Sequence, residues 1–283
     1  VVSKGHEMGS ADVLIALHAR KSAHYIEEFL AFNPEGKVIL FLTGTDIYED
    51  IPSGCEICQK SMETAHVLVV AQEASLISVA DKYRSKAVVV HQSIQLEKEM
   101  MNVSDVEGEL DLFTVIGHLR AVKQPFMAIE ALQLLEDSVR VKLLGKEVDV
   151  GDGEVARKWE AEDSRFQWLG NVDHLEALRW MRRSVATINT SLSEGGANSV
   201  GESIMLGVPV LASKVEGNVG MLGDDYDGYF SVDSNEELAD LMRRVIHDAD
   251  FRMSLREQVG LRRERFLREN EKQAWVDIIQ KIT

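Results

Sequence analysis

The stretch VATINTSLSEGGANSVGESIMLGVPVLAS, residues 185–213, contains the alternation that predicts the fold. An apolar run ends near Ser191, a glycine pair follows, a helical segment carries Glu202, and a second apolar run closes the stretch. Continuous apolar strands that alternate with helices are typical of parallel sheets covered on both faces. The stretch therefore predicts an α/β architecture.

The same alternation extends along most of the chain. Further apolar runs predicted to be strands occupy residues 12–17, 37–42, 66–71, 86–91, 112–117, 139–145 and 166–170. A helix starting at Ser22 carries a core-facing stripe, and the chain from Ser234 onward is helical and charged. The polar stretch 95–111 is typical of an interdomain connection. We predict two Rossmann-like, doubly wound domains, residues 1–104 and residues 105–283 with C-terminal helices.

Composition excludes several classes of protein. The chain has 31 Lys and Arg against 47 Asp and Glu, a net charge of -16, so it lacks the broad cationic surface that nucleic acid or anionic lipid requires. No apolar run reaches the length of a membrane span and no signal-peptide pattern opens the chain, so we expect a cytoplasmic protein. Only Cys55 and Cys58 occur, in CEIC, and we expect ordinary reduced thiols rather than a metal site.

Two carboxylates flank the glycine turn of the opening stretch. Glu194 follows the strand, Gly195 and Gly196 make the turn, a helix begins near Asn198, and Glu202 lies on that helix. Glycines let a ligand approach the backbone, and the N–H groups of a first helical turn suit phosphate. Carboxylates accept hydrogen bonds from paired hydroxyls. Because ligands collect at the carboxyl ends of parallel strands, this pattern predicts a nucleotide-sugar site.

A second motif, GHLRAVKQP at residues 117–125, follows the predicted strand 112–117. Gly117 is followed by Arg120 and Lys123, two cations that can neutralise a diphosphate in a strongly acidic chain. The alternative is that both are solvated at a helix start, although the helix dipole opposes cations there.

Polar residues also follow three strands of the first domain and suggest a pocket that accepts an anion. These are His18, Arg20, Lys21 and Ser22, then Thr43, Gly44, Thr45 and Asp46, then His91, Gln92 and Ser93. Each has a structural alternative, since His18 can be a core histidine and Ser22 and Asp46 can cap helices. The acidic loop GDDYDG, residues 223–228, is similarly either a metal loop or an ordinary acidic turn.

These motifs resemble a known family. EGGANSVGESIMLGVPVLAS is similar to the E-x7-E signature of retaining GT-B glycosyltransferases of family four, and GHLRAVKQP resembles their diphosphate loop. Lys123 falls at the position of the family's lysine, whereas His118 stands where the family has arginine. A closer similarity is to selenosugar synthases, which join selenophosphate to the sugar of a UDP-sugar, typically UDP-N-acetylglucosamine. It is carried by six motifs in this order: DVLIALHARKSA, LTGTDIY, HQS, GHLRAVK, EGGAN and GNVGMLGDDYDGYF.

The resemblance implies two Rossmann-like domains facing a cleft, a UDP-sugar donor, a small anionic acceptor, and no cofactor or metal. It implies that Glu194 holds sugar hydroxyls and Glu202 the ribose. The diphosphate contacts it implies are Arg120, Lys123 and the backbone at Gly195, Gly196, Ala197 and Asn198, and Gly117 and Ser199 are implied as further donor-binding residues. It further implies catalytic roles for Glu194, Arg120, Lys123 and His18, and acceptor contacts from Arg20, Lys21, Ser22, Thr43, Gly44, Thr45, Asp46 and His91.

Two alternatives stay open at this stage: a family-four enzyme with a thiol, sugar or phosphorylated-polyol acceptor, or a non-catalytic nucleotide-sugar-binding protein. The family begins with a strand and a glycine-rich loop, but VVSKGHEMGS leads directly into DVLIAL. We therefore expect that a strand and loop are missing ahead of the first predicted strand.

Overall fold

The computed structural model describes residues 11–96, 100 and 109–283. The chain forms two compact units, one from Ile94–Leu267 and the other from the residues up to Ser93 together with Arg268–Thr283. Both contain a parallel sheet with helices, so the α/β prediction is confirmed. The units differ from the predicted division at residue 104, because the last helix belongs with the first sheet.

The first unit is a four-stranded parallel sheet with strands in sequence order, β1-β2-β3-β4. The strands are β1 (Val13–Leu17), β2 (Lys37–Phe41), β3 (Val67–Val70) and β4 (Ala87–Val89). The connecting helices are α1 (Ala23–Phe32), α2 (Glu56–Thr64), α3 (Glu73–Ser78) and α4 (Asp81–Arg84), and a π-helix spans Asp46–Asp50. All four strands lie where the apolar runs predicted them.

Both faces of this sheet are covered by apolar side chains. Ile26 and Phe29, from the predicted stripe of α1, are buried against one face. The other face packs against the last helix of the chain, Arg268–Ile282, through Trp275 and neighbouring apolar residues. Glu271 of that helix also accepts hydrogen bonds from the Ser93 backbone N–H (2.9 Å) and hydroxyl (2.5 Å). These contacts explain why the final helix completes the first unit.

The second unit is a six-stranded parallel sheet with the order β10-β9-β8-β5-β6-β7. Its strands are β5 (Glu109–Ile116), β6 (Arg140–Leu144), β7 (Phe166–Gly170), β8 (Ser184–Asn189), β9 (Val210–Ser213) and β10 (Tyr229–Phe230). Its helices are α5 (Met127–Leu132), α6 (Asp152–Glu162), α7 (His174–Arg183), α8 (Asn198–Leu206), α9 (Glu216–Leu222), α10 (Asn235–His247) and α11 (Ala249–Arg262), with 3₁₀ turns at Ala121–Lys123 and Arg263–Phe266. Strand order reverses between β5 and β8, where doubly wound sheets bind ligands.

β5 begins within the stretch predicted to be a polar connection. Its first residues are charged, but arginines from β6 and the end of α7 pair with them. Arg140 Nη2 lies 2.8 Å from Asp111 Oδ1, and Arg183 Nη2 lies 2.8 Å from Glu109 Oε1. Arg183 and Arg140 lower the pKa of Glu109 below its usual value. Ion pairing therefore lets a strand start where hydropathy predicts a loop.

Across the parts of the chain that the structure describes, each helix is too short or too polar to cross a lipid bilayer.

Candidate active site

A cavity of about 550 Å³ lies at the carboxyl ends of the second sheet. Its lining comes from the segments that follow β5, β6, β7 and β8. Eight predicted donor-site residues line it: Gly117, Lys123, Glu194, Gly196, Ala197, Asn198, Ser199 and Glu202. Gly195 and Arg120 are not part of this lining, and Arg120 is exposed.

Glu194 is almost completely buried beside the cavity, with 9% of its surface exposed. Lys123 Nζ donates to Glu194 Oε1, as do the Ser191 hydroxyl (2.6 Å) and Asn189 Nδ2 (3.4 Å). Oε2 receives no hydrogen bond from the described residues. The carboxylate is thus fixed through one oxygen, and the other can accept a ligand hydroxyl.

The loop carrying Glu194 is also held from α9. Gly217 approaches so closely that an added Cβ would lie 2.0 Å from the Glu194 carbonyl oxygen. The next residue, Asn218, is fully buried and donates through Nδ2 to Asn189 Oδ1 at 3.0 Å. Neither residue was predicted to serve the site, because a close backbone approach leaves no signal in the sequence beyond a glycine.

Positive charge surrounds the loop after β5. The turn that carries Lys123 is tied to the end of β8, because the Thr190 hydroxyl donates to the Lys123 carbonyl at 2.7 Å. Burial lowers the pKa of His118, and the cations Lys146, Lys123 and Arg120 lower it further. Arg120 therefore acts on this loop through its field while lying outside the cavity lining. This local charge is suited to a polyanion in a chain that is acidic overall.

The loop geometry after β5 and β6 requires glycine. An added Cβ at Gly145, which has φ +153°, would lie 2.0 Å from the Gly117 carbonyl oxygen. Two strand ends can therefore approach each other, which forms one wall of the cavity.

The start of α8 also faces the cavity. Asn198 and Ser199 line the cavity. The first backbone hydrogen bonds of the helix are donated by the N–H groups of the next two residues, Val200 and Gly201, both to the Ala197 carbonyl. The earlier N–H groups of a helix are the ones that bind phosphate.

Glu202, on α8, also lines the cavity, and its side chain is 14% exposed. Burial raises the pKa of its carboxyl, while a hydrogen bond from His174 opposes that shift. His174 Nε2 lies 2.8 Å from Glu202 Oε1. His174 was not predicted, although it begins the helix that follows β7, and the strand-end rule searches such positions.

In the first unit, His18 lies beside two carboxylates. It has φ +71°, its side chain is buried, and its Nδ1 accepts from the Arg20 backbone N–H at 3.3 Å. Its Nε2 lies 3.7 Å from Asp50 Oδ2, which also accepts from Arg20 Nε at 3.1 Å. Arg20 is thus already paired with a carboxylate, while Lys21 is exposed.

Asp46 and Ser22 were considered as helix caps, and neither side chain makes a capping hydrogen bond, although Ser22 occupies the N-cap position of α1. Asp46 is fully buried and accepts from the backbone N–H groups of Ala19 (2.7 Å) and Thr43 (2.6 Å), joining the ends of β1 and β2. The Ser22 hydroxyl donates to the Leu17 carbonyl instead of capping α1. Thr43 follows β2 in an irregular segment, Gly44 and Thr45 are helical residues directly before the π-helix, and Asp46 is the first residue of that π-helix.

The fourth strand end contributes His91, which is half-buried with Nε2 3.2 Å from Glu73 Oε2. Glu73 is the first residue of α3, and Gln72, the residue immediately before this helix, was not predicted. It is 1% exposed, and neither its amide nitrogen nor its amide oxygen has a hydrogen-bond partner among the described residues.

The other candidates have structural explanations. Asp225 pairs with Arg262, and Asp227 Oδ2 accepts from Gln258 Nε2 at 2.6 Å. Within residues 11–96, 100 and 109–283, no group of three or more His, Cys, Asp or Glu side chains is placed to hold a metal ion. Cys55 Sγ accepts from the Cys58 N–H at the start of α2 (3.4 Å), and burial raises the pKa of the Cys58 thiol to about 12.

Residues 97–260, more than half of the chain, match the family described as "Glycosyl transferases group 1". The chain belongs to this family. The chain is 26% identical over 228 residues to "Glycosyltransferase 1 domain-containing protein 1" of Xenopus tropicalis, a match covering 74% of this chain and 66% of that protein. The match therefore spans slightly less than two thirds of that relative.

Solved structures show the same GT-B fold for this glycosyltransferase. Anabaena Alr3699/HepE in complex with UDP superimposes with a TM-score of 0.78 at 15% identity, covering 96% of this chain and 79% of that one. Sucrose-phosphate synthase from Thermosynechococcus elongatus gives a TM-score of 0.74 at 13% identity, with 96% and 73% covered.

Proposed function

We propose that this glycosyltransferase transfers a sugar, N-acetylglucosamine, from a UDP-sugar to a small anionic acceptor, selenophosphate. The observation that carries the donor assignment is one cavity lined by Glu202, the start of α8, Lys123 and Glu194. Its two carboxylates can accept hydrogen bonds from ligand hydroxyls, and its N–H groups can donate hydrogen bonds to an anion between them. A UDP-sugar has the same order of groups, with hydroxyls at both ends and a diphosphate between them. The complexes of Anabaena Alr3699/HepE with UDP and with UDP-glucose support this donor class.

In this proposal Glu202 accepts from the ribose hydroxyls, and Glu194 Oε2 accepts from the sugar. The N–H groups at Asn198 and Ser199 and the Lys123 ammonium hold the diphosphate. The bond between the anomeric carbon and the diphosphate oxygen breaks, its electron pair leaves with UDP, and the acceptor atom bonds to that carbon. Negative charge grows on the departing oxygen, so these fixed donors stabilise the transition state more than the ground state.

The acceptor assignment rests on the resemblance and on the strand ends of the first unit. His18, Arg20 and Lys21 supply donors for a tetrahedral anion such as selenophosphate. A second candidate is a neutral hydroxyl acceptor such as a sugar. It is favoured because Asp50 already neutralises Arg20 and because the buried Gln72 amide lacks partners among the described residues.

The donor assignment is tested by calorimetry of UDP binding. Glu202→Ala is expected to weaken UDP binding by about 1 to 3 kcal/mol, the range for losing a charged hydrogen-bond acceptor. Glu194→Ala is expected to leave UDP affinity nearly unchanged while lowering the release of UDP from UDP-N-acetylglucosamine. Glu257→Ala, an exposed helical position, is the matched control. Unchanged UDP affinity in Glu202→Ala would contradict the ribose assignment.

The acceptor assignment is tested by UDP release with selenophosphate against buffer alone. Arg20→Ala is expected to raise the acceptor KM several-fold without changing UDP affinity, and free phosphate is expected to compete. Lys60→Ala, which removes an exposed ion pair in the same unit, is the control. If phosphate does not inhibit and Arg20→Ala keeps its acceptor KM, the neutral acceptor is the better assignment.

A further inference from the structure

The donor cavity contains an ionisable side chain that the proposed function does not use. His174 is the first residue of α7, and Asp173 fixes that helix start by accepting the Glu176 N–H at 2.8 Å. The imidazole extends from there to Glu202, which lies on a different helix, and Nε2 and Oε1 are 2.8 Å apart. Both side chains line the cavity. The pair therefore joins two elements of the site, with the imidazole half exposed and the carboxylate largely buried.

Glu202 is in an environment that disfavours its charge. Burial raises the pKa of its carboxyl, and the bond and charge of His174 are the influences that lower it. The other titratable groups lining the cavity are His118, Lys123 and Glu194, and none of them shifts Glu202.

The elements packed against α8 also carry charged groups, and of these only His174 is among the influences on the pKa of Glu202. Glu176 and Arg179 pair within α7 at 3.5 Å, and Arg263 Nε donates to the Met205 carbonyl at 3.0 Å. Glu216 on α9 and Arg262 on α11 are further examples; Arg262 pairs with Asp225, and neither residue is among the influences on the pKa of Glu202. Among the residues described, ionisation of Glu202 therefore depends on His174.

We propose that His174 is a positioning residue that holds the Glu202 carboxylate ionised and oriented for the ribose, and so extends nucleotide binding to lower pH. This inference rests on the proposed function, in which Glu202 accepts from ribose hydroxyls. With its proton on Nε2, His174 donates to Oε1 and leaves Oε2 for the ligand. A protonated Glu202 would lose the charge-assisted bond to the ribose.

The test is UDP affinity measured by calorimetry from about pH 5 to pH 8, the range in which histidine and raised carboxyl groups titrate. In the wild type, UDP binding weakens as pH falls through the Glu202 titration. In His174→Ala the midpoint of this decline is expected to move up by about one pH unit, since one lost hydrogen bond to a carboxylate is worth roughly that much. His174→Gln, which keeps a neutral N–H donor, is expected to restore much of the original midpoint.

Two comparisons make the test specific. 2′,3′-Dideoxy-UDP lacks the hydroxyls that Glu202 would bind, so its affinity is expected to show no shift of midpoint between wild type and His174→Ala. A uniform loss of UDP affinity with an unmoved midpoint, or an equal shift for the dideoxy nucleotide, would overturn the inference alone. A wild type that does not bind UDP would overturn the proposed function and this inference together. Circular dichroism of both variants checks that α7 remains folded.

Discussion

Replacing Gly217 by alanine should damage the site from a position that touches no ligand. The added Cβ would lie 2.0 Å from the Glu194 carbonyl oxygen and 2.4 Å from its carbonyl carbon. Ordinary contacts begin near 3.4 Å, so the loop and α9 must separate by about 1.4 Å. Because the neighbouring atoms are backbone, no flexible side chain can absorb this change.

The expected change in the stability of Gly217→Ala is the difference between two opposing contributions. Alanine in a helix is more stable than glycine by about 0.5 to 1 kcal/mol, whereas overpacking costs about 1 to 3 kcal/mol. We expect a net loss of about 1 to 2 kcal/mol, a fall in Tm of about 3 to 6 °C for a unit of this size. A displacement of about 1 Å in a catalytic group can reduce turnover roughly 100-fold. Turnover should therefore fall much more than UDP affinity, because Glu194 is assigned to the sugar.

Gly260→Ala is the matched control, since Gly260 also lies in a helix and an added Cβ there meets no atom within 4 Å. Its Tm is expected to rise slightly with turnover unchanged. Calorimetric Tm, UDP affinity and UDP release are measured for both variants. If Gly217→Ala behaves like Gly260→Ala in all three measurements, the close approach does not position Glu194.

Three further outcomes follow from the described contacts. UDP binding should raise the pKa of His118, since an added diphosphate offsets the cations that now lower it, and an NMR titration with and without UDP would show no change if the anion binds elsewhere. Asp46→Ala should destabilise the first unit by about 2 to 4 kcal/mol in calorimetric unfolding, because the N–H groups of Ala19 and Thr43 lose their acceptor; an unchanged Tm would contradict this structural role. Cys58 should resist iodoacetamide at about pH 8 until the protein is denatured, because burial keeps its thiol protonated, and rapid labelling in the native protein would refute that.

The sequence predicted features that depend on local pattern. Apolar runs located the strands, and the glycine pair with its following helix located α8 within a residue of Asn198. Eight residues predicted for the donor site line one cavity because the strand-end rule applies to every parallel strand. The short strand β10 was missed because two residues carry no detectable period.

Features that depend on partners distant in sequence could not be predicted. Arg20 counted as a free cation in the sequence, but Asp50, thirty residues later, pairs with it. His174 and Glu202 are 28 residues apart, and nothing in either segment indicates their contact. The amphipathic pattern of the last helix specifies an apolar face but not the sheet on which it packs.

That last helix makes the first unit depend on both ends of the sequence. Ser93 and Glu271 are 178 residues apart, yet they hydrogen-bond across one face of the same sheet. During synthesis the strands of this unit emerge first, but the apolar face formed by Ile39, Phe41 and Val69 stays uncovered until translation passes the second unit. Long-range closure of this kind slows folding and leaves an aggregation-prone surface exposed meanwhile. A nonsense mutation near residue 268 would therefore leave the second unit's core intact and uncover one apolar face of the first unit's sheet.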